Sequence, residues 1–307
     1  MTAERPSPPL IYAAFAAIYL IWGTSFAATK FMVHDLPPLF AGGVRFILAG
    51  LLLVSFARLR GAALPEGARE WRHVAVMGLL HVVLSAGVNV LALRHVPSNQ
   101  SALLNTSSAL WIPLLGSFGV RGHPLTARLS VGLVLGATGV ALLMVPKGGL
   151  SLSHFGWQLI IIAACFCWAL GTLYYRSVRS KTASLMFVGL QMLMGGSVLA
   201  TAGAAMGDVA RWQWTVQGLG GLAFLTIMSS CVAYTSFGYL MRHVTPARLS
   251  TYAYVNPAIA AVVGWLLLGE RMSGVQIVGT AVILVGVVLV SLPAADAAAS
   301  TPVESTG

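Results

Sequence analysis

The chain has 307 residues, of which 57% are apolar and only 8% charged, with a mean hydropathy of +0.84. A soluble domain carries about 25% charged residues, so this composition excludes a water-soluble fold for most of the chain. The net charge of +10 would suit nucleic acid in a soluble protein. Here the bases fall between apolar runs, where lipid headgroups and membrane orientation account for them, and nucleic acid is not expected as a partner.

Residues 1–9 hold three prolines and read as a disordered cytoplasmic lead. Uncharged runs of about 20 residues then mark bilayer spans. Ten helices fit, over about 10–30, 38–57, 73–93, 98–119, 129–146, 156–176, 184–205, 215–240, 247–268 and 272–292. The expected fold is therefore an all-α polytopic membrane protein with short loops. The longest loop, 58–72, reads as a basic cytoplasmic linker, and residues 294–307 as a disordered cytoplasmic tail. With the N-terminus inside, twelve Lys and Arg fall on the inner side and five on the outer, while Arg45 lies within a helix. That excess places both termini in the cytoplasm.

The chain carries an internal repeat. Arg94-His95-Val96 recurs as Arg242-His243-Val244, and Gly132, Gly139 and Pro146 recur as Gly279, Gly286 and Pro293. A repeat of this length points to duplication, with copies over 10–146 and 147–293. Five helices per copy is an odd number, so the second copy enters the membrane inverted. Two inverted units about an axis in the membrane plane can open a central cavity to one side and then the other.

Polar and aromatic residues within the spans are the candidates for function. Trp22 and Ser25 sit on one stripe of the first helix, and Trp168 and Thr172 repeat the pattern in the sixth. The two tryptophans suit opposite sides of one aromatic cavity, with helix packing as the plainer alternative. Asn89 and Tyr234 occupy equivalent mid-span positions in the third and eighth helices, and Asn105 lies in the fourth. Tyr252 and Asn256, four residues apart, share a face of the ninth helix. Pro257 frees the carbonyl of Ala253 there, and Pro113 frees that of Ala109 in the fourth helix. Freed carbonyls are tolerated where neighbours or a wet cavity complete them.

Arg45 is costly at mid-span, and two readings stay open: snorkelling or carbonyl capping, or contact with an anionic substrate group or gating carboxylate. His81 lies well inside the third helix and is a possible proton site, since its pKa is naturally near neutral; a hydrogen-bonded structural histidine is the plainer reading. Gly42, Gly43 and Gly50 let helices approach and rock, and the glycines of the fifth and tenth helices suit a scaffold or homodimer contact. Cys165, Cys167 and Cys231 read as small apolar fillers. Acidic or histidine clusters, a nucleophile with its base and a phosphate-cradling Gly-Lys-Ser/Thr loop are all missing, so no enzyme, metal or cofactor is expected.

Trp22-Gly23-Thr24-Ser25-Phe26, Arg45-Phe46, Asn256-Pro257 and Gly269-Glu270-Arg271, in this order and spacing, resemble the EamA-type branch of the drug/metabolite transporter superfamily over about residues 10–293. The resemblance implies ten helices in two inverted five-helix repeats. It also implies a cavity walled by the first, third, fourth, sixth, eighth and ninth helices, and a place in the bacterial inner membrane. The first-copy counterpart of Gly-Glu-Arg reads Gly122-His123-Pro124, without the glutamate. Glu270 is therefore expected to organise the end of helices nine and ten and not to bind solute. The function expected is secondary transport, exporting a small amphipathic metabolite such as an amino acid, with lipid around it and protons as a possible coupling ion. A multidrug or nucleobase carrier and a non-transporting membrane scaffold are the alternatives.

Overall fold

A computed structural model describes residues 8–118, 126–143, 152–178, 180–244, 249 and 251–291. Both tails, the Gly122-His123-Pro124 counterpart, Pro146 and Pro293 lie outside the described residues.

The described chain is helical throughout. Helix α1 spans Pro8–Asp35, α2 Pro38–Leu59 and α3 Gly67–Ala92. Next come α4 (Ser98–Asn105), α5 (Ser108–Gly116) and α6 (Ala127–Leu143). The second half holds α7 (Leu152–Ser177), α8 (Ser184–Ala205), α9 (Val216–His243), α10 (Tyr252–Leu268) and α11 (Gly274–Ser291). Six helices, α1, α2, α3, α7, α8 and α9, are long and apolar enough to cross a membrane. Shorter apolar stretches over Ala127–Leu143, Val255–Leu268 and Gly274–Leu289 occupy three of the other expected spans. Exposed Leu51, Leu52, Trp265, Leu266 and Val278 give the outer surface the apolar character that lipid requires. This is an all-α polytopic membrane protein.

Local chemistry sets the ends of these helices. Proline stands in the first turn of α1 and α2, where its missing N–H costs nothing. Thr215 accepts the Gly218 amide at 3.0 Å to start α9. Gly269 takes φ +63° past the end of α10, a conformation that penalises any Cβ.

Three departures from the sequence expectation matter. Helix α1 begins at Pro8, so the polar lead is shorter than nine residues. The basic linker is also shorter: α3 starts at Gly67, so Arg69, Glu70 and Arg72 are helical. The fourth expected span is not continuous; it breaks at Thr106–Ser107 between α4 and α5. The hydroxyl of Thr106 bonds the Leu103 carbonyl and that of Ser108 the Asn105 carbonyl. Such local bonds compete with the helical ladder.

Two helices widen in mid-course. Helix α3 is π-helical over Gly78–Gly87 and α9 over Leu225–Ala233. Their starts are 147 residues apart (225 less 78), the offset that also separates the repeated glycines. Wide turns are rare and gather at functional places.

Glycine governs two tight pairings. Helix α2 lies along α8, with Gly43 set against Ala200, and a Cβ on Gly50 would meet the Gly189 carbonyl at 2.7 Å. Helix α6 lies along α11, where a Cβ on Gly139 would meet the Ile283 nitrogen at 2.5 Å. The glycine faces are thus consumed inside one chain. They serve as scaffold and are not free for a homodimer seam.

Candidate functional site

Between these pairs, α1, α3, α4, α5, α7, α9 and α10 line a cavity of about 150 Å³. That is the size of a cavity able to hold a benzene-sized body. Trp22, Ser25, Asn89, Asn105, Trp168, Tyr234, Tyr252 and Asn256 all stand in its wall, together with Pro257.

Trp22 is the hub of an aromatic floor. Its ring centroid lies 5.8 Å from Trp168, 5.6 Å from Tyr234, 5.2 Å from Phe237 and 5.7 Å from Tyr252. Edge-on and tilted geometries dominate, as the ring quadrupoles favour. The close approach of α1 to α10 has a simple cause: a Cβ on Gly23 would sit 2.7 Å from the Ile259 Cβ. The hydroxyl of Ser25 donates to the Trp22 carbonyl at 2.8 Å.

An amide wall faces this floor. Asn89 Nδ2 donates to Asn105 Oδ1 at 2.8 Å, and Asn105 Nδ2 donates to the Ser101 carbonyl at 2.8 Å. Asn256 is buried, and its Oδ1 has no hydrogen-bond partner among the described residues. A buried acceptor without a donor is costly, and this one sits in the wall of the cavity.

Arg45 joins the wall from α2, a helix outside the set that the resemblance implied. It is 5% exposed, and its Nε donates to Ser230 Oγ at 2.8 Å and its Nη2 to Ser229 Oγ at 3.0 Å. Snorkelling to the headgroups is therefore overturned, because the guanidinium is held inward by the π-helical stretch of α9. Cys165 is a further correction. It is buried, but it borders the cavity with its Sγ 3.6 Å from Asn105 Oδ1.

Other candidates lie elsewhere. Thr172 and His81 stand behind Trp168 and not in the cavity wall. The Trp168 carbonyl accepts Thr172 Oγ1 at 2.9 Å and meets His81 Nε2 at 3.2 Å, and the imidazole stacks on the indole at 4.2 Å. Gly171 leaves the space that His81 fills. Pro113, in α5, is outside the wall. Glu270 lies at the end of α10, accepting Ser98 N at 2.7 Å, Ser98 Oγ at 2.8 Å and Asn99 N at 2.9 Å. Capping of α4 thus comes from Glu270, and only then from Asn99, whose Oδ1 takes the Gln100 amide at 2.6 Å. Nearby, Lys30 Nζ donates to the carbonyls of Leu93 and Val96 at 2.6 and 2.9 Å, holding the end of α3. Ser85, Thr106 and Ser108 also border the cavity. The run of small hydroxyl residues at 106–108 was the signal that could have revealed Thr106 and Ser108.

Known proteins share this sequence and fold. The EamA-like transporter family matches twice, over residues 9–145 and 155–292. An uncharacterized inner membrane transporter of Escherichia coli (strain K12), YedA, is 33% identical over 92% of this chain and 90% of its own. A WAT1-related chloroplastic protein of Arabidopsis thaliana is 30% identical over 90% of this chain and 68% of its own. A solved crystal structure superposes with a TM-score of 0.69 at 19% identity, covering 92% of this chain and 96% of that one, which speaks to the fold alone. The chain therefore belongs to the EamA-like transporter family of the drug/metabolite transporter superfamily, and is a transporter of small molecules across a membrane.

Proposed function

We propose that the protein is a secondary carrier that exports a small amphipathic metabolite such as an amino acid by alternating access. The observation that carries this reading is the cavity with an aromatic floor and an amide wall. Its volume of about 150 Å³ suits a metabolite better than drug-sized ligands, whose pockets run to about 300–1,000 Å³. In this reading, ten helices form two inverted five-helix repeats over 10–146 and 147–293, with α4 and α5 together as one broken span. The double match to the family, one per half, supports the duplication. So does the 147-residue spacing (225 less 78) of the two π-helical stretches. The excess of bases on one side favours both termini in the cytoplasm of a bacterial inner membrane.

The two ends of the cavity differ, which gives alternating access something to act on. On the Lys30 side, Glu270 and Lys30 clamp the α3–α4 connection through backbone groups. On the other side, the aromatic floor closes it through van der Waals contact. Opening either end means breaking a local set of contacts while the α2–α8 and α6–α11 pairs stay rigid.

Counterflow in liposomes tests the proposal, using a panel of labelled amino acids and metabolites. One class of solute should exchange, and Trp22→Ala should lower that exchange by about tenfold or more, since buried aromatic contacts carry about 1–3 kcal/mol. A folded protein that exchanges no solute would refute the carrier reading.

A further inference from the structure

We propose that Arg45 is the anion-binding residue of the cavity, and that the carried solute presents a carboxylate to it. This rests on the carrier reading above and adds to it the substrate class.

The argument starts from charge. Among the described residues, Arg45 is the only charged side chain in the cavity wall. Its two hydrogen-bond partners, Ser229 and Ser230, are neutral, so the buried charge has no counter-ion. The acids that could supply one are engaged at helix ends. Asp35 accepts Thr215, Glu70 accepts Ser180 and Thr182, Asp208 pairs with Arg211, and Glu270 holds Ser98 and Asn99. A buried cation without an anion is expensive, and the cost is removed when one arrives.

Geometry narrows the anion. A guanidinium offers five N–H groups in a plane, and the serines take one at Nε and one at Nη2. Nη1 bonds none of the described residues. The serine pair fixes the plane through one edge and leaves the Nη1 side for a planar oxyanion, which arginine receives by paired N–H bonds. One positive charge balances a monoanion. A phosphate dianion would leave a charge over in a wall that has no second cation. Trp22, Trp168 and Tyr252 then take the apolar body of the solute. The wall contains no acidic residue, so a solute whose only charge is positive finds nothing to pair with.

The test is competition in the counterflow assay by matched pairs that differ only at the carboxyl. Phenylalanine is set against phenylalaninamide, 3-phenylpropanoate against 3-phenylpropanamide, and leucine against leucinamide. Each carboxylate should compete at least about tenfold better than its amide, the size of one hydrogen bond to a charged group. Arg45→Gln should erase that preference while Arg45→Lys keeps part of it. Wild-type protein alone decides the matter if neither variant folds. Amides that compete as well as their acids overturn the proposal, as does an Arg45→Gln protein with the wild-type preference. If neutral or cationic solutes exchange and carboxylates do not, the carrier reading stands and the role of Arg45 falls. If no solute of any charge exchanges, both fall.

Discussion

Glu270 offers the sharpest energetic test of this architecture, because one side chain satisfies three donors of another helix. Helix α4 follows Pro97, which supplies no side-chain cap. Its first amides at Ser98 and Asn99, with the Ser98 hydroxyl, all point at the Glu270 carboxylate at 2.7–2.9 Å. Ser98 is fully buried and Asn99 nearly so, while Glu270 is half-buried, so water replaces the missing acceptor only in part. Hydrogen bonds to a charged group contribute about 1.5–3 kcal/mol each and do not add fully. Glu270→Ala should therefore destabilise by about 3–5 kcal/mol, and Glu270→Gln, which keeps one acceptor oxygen, by about 1–2 kcal/mol. At about 2–4 °C per kcal/mol, the alanine protein should melt at least about 6 °C lower. Purified protein in detergent, heated and scored for the monodisperse fraction, gives the measurement. A Glu270→Ala protein melting within about 1 °C of wild type would refute the capping role.

Two further outcomes follow from packing. His81 lies behind Trp168 and away from the cavity wall, so His81→Gln should retain exchange within about twofold at pH 6 and pH 8. Loss of exchange together with loss of its pH dependence would instead make His81 a proton carrier. Gly139→Leu should prevent the close approach of α6 and α11, since its Cβ alone would lie 2.5 Å from the Ile283 nitrogen. The expected loss is at least about 1–3 kcal/mol, read as a lower melting point, and an unchanged melting point would count against the glycine seam.

Much of the cavity was legible before any fold was known. Trp22, Asn89, Trp168, Tyr234, Tyr252 and Asn256 stand out because polar and aromatic groups at mid-span are conspicuous against an apolar background. Hydrocarbon offers such groups no partner, so they must face protein or water, and a shared cavity is the economical place. Thr172 fits the same sequence pattern, yet its hydroxyl turns back to the Trp168 carbonyl. Helical periodicity places a residue on a face; it does not say whether a neighbouring helix has already covered that face. Cys165 errs the other way, reading as filler while bordering the cavity, because a small side chain carries no polarity signal strong enough to separate wall from core.

Composition and spacing alone determined that this chain lives in a membrane as a bundle of helices. Desolvating the backbone there leaves few alternatives, and about 20 apolar residues are needed to cross. They also suggested a duplication and marked the unusual charge at Arg45. Only the tertiary structure decided what Arg45 and Glu270 contact. Arg45 meets serines 184 and 185 residues away, and Glu270 meets amides 171 and 172 residues away. Such pairings depend on which helices pack side by side. Local pattern can show that a buried charge or an uncapped helix end needs a partner. Which distant group supplies it is a matter of packing, because the satisfying contact is made across helices and leaves no periodic mark on either one.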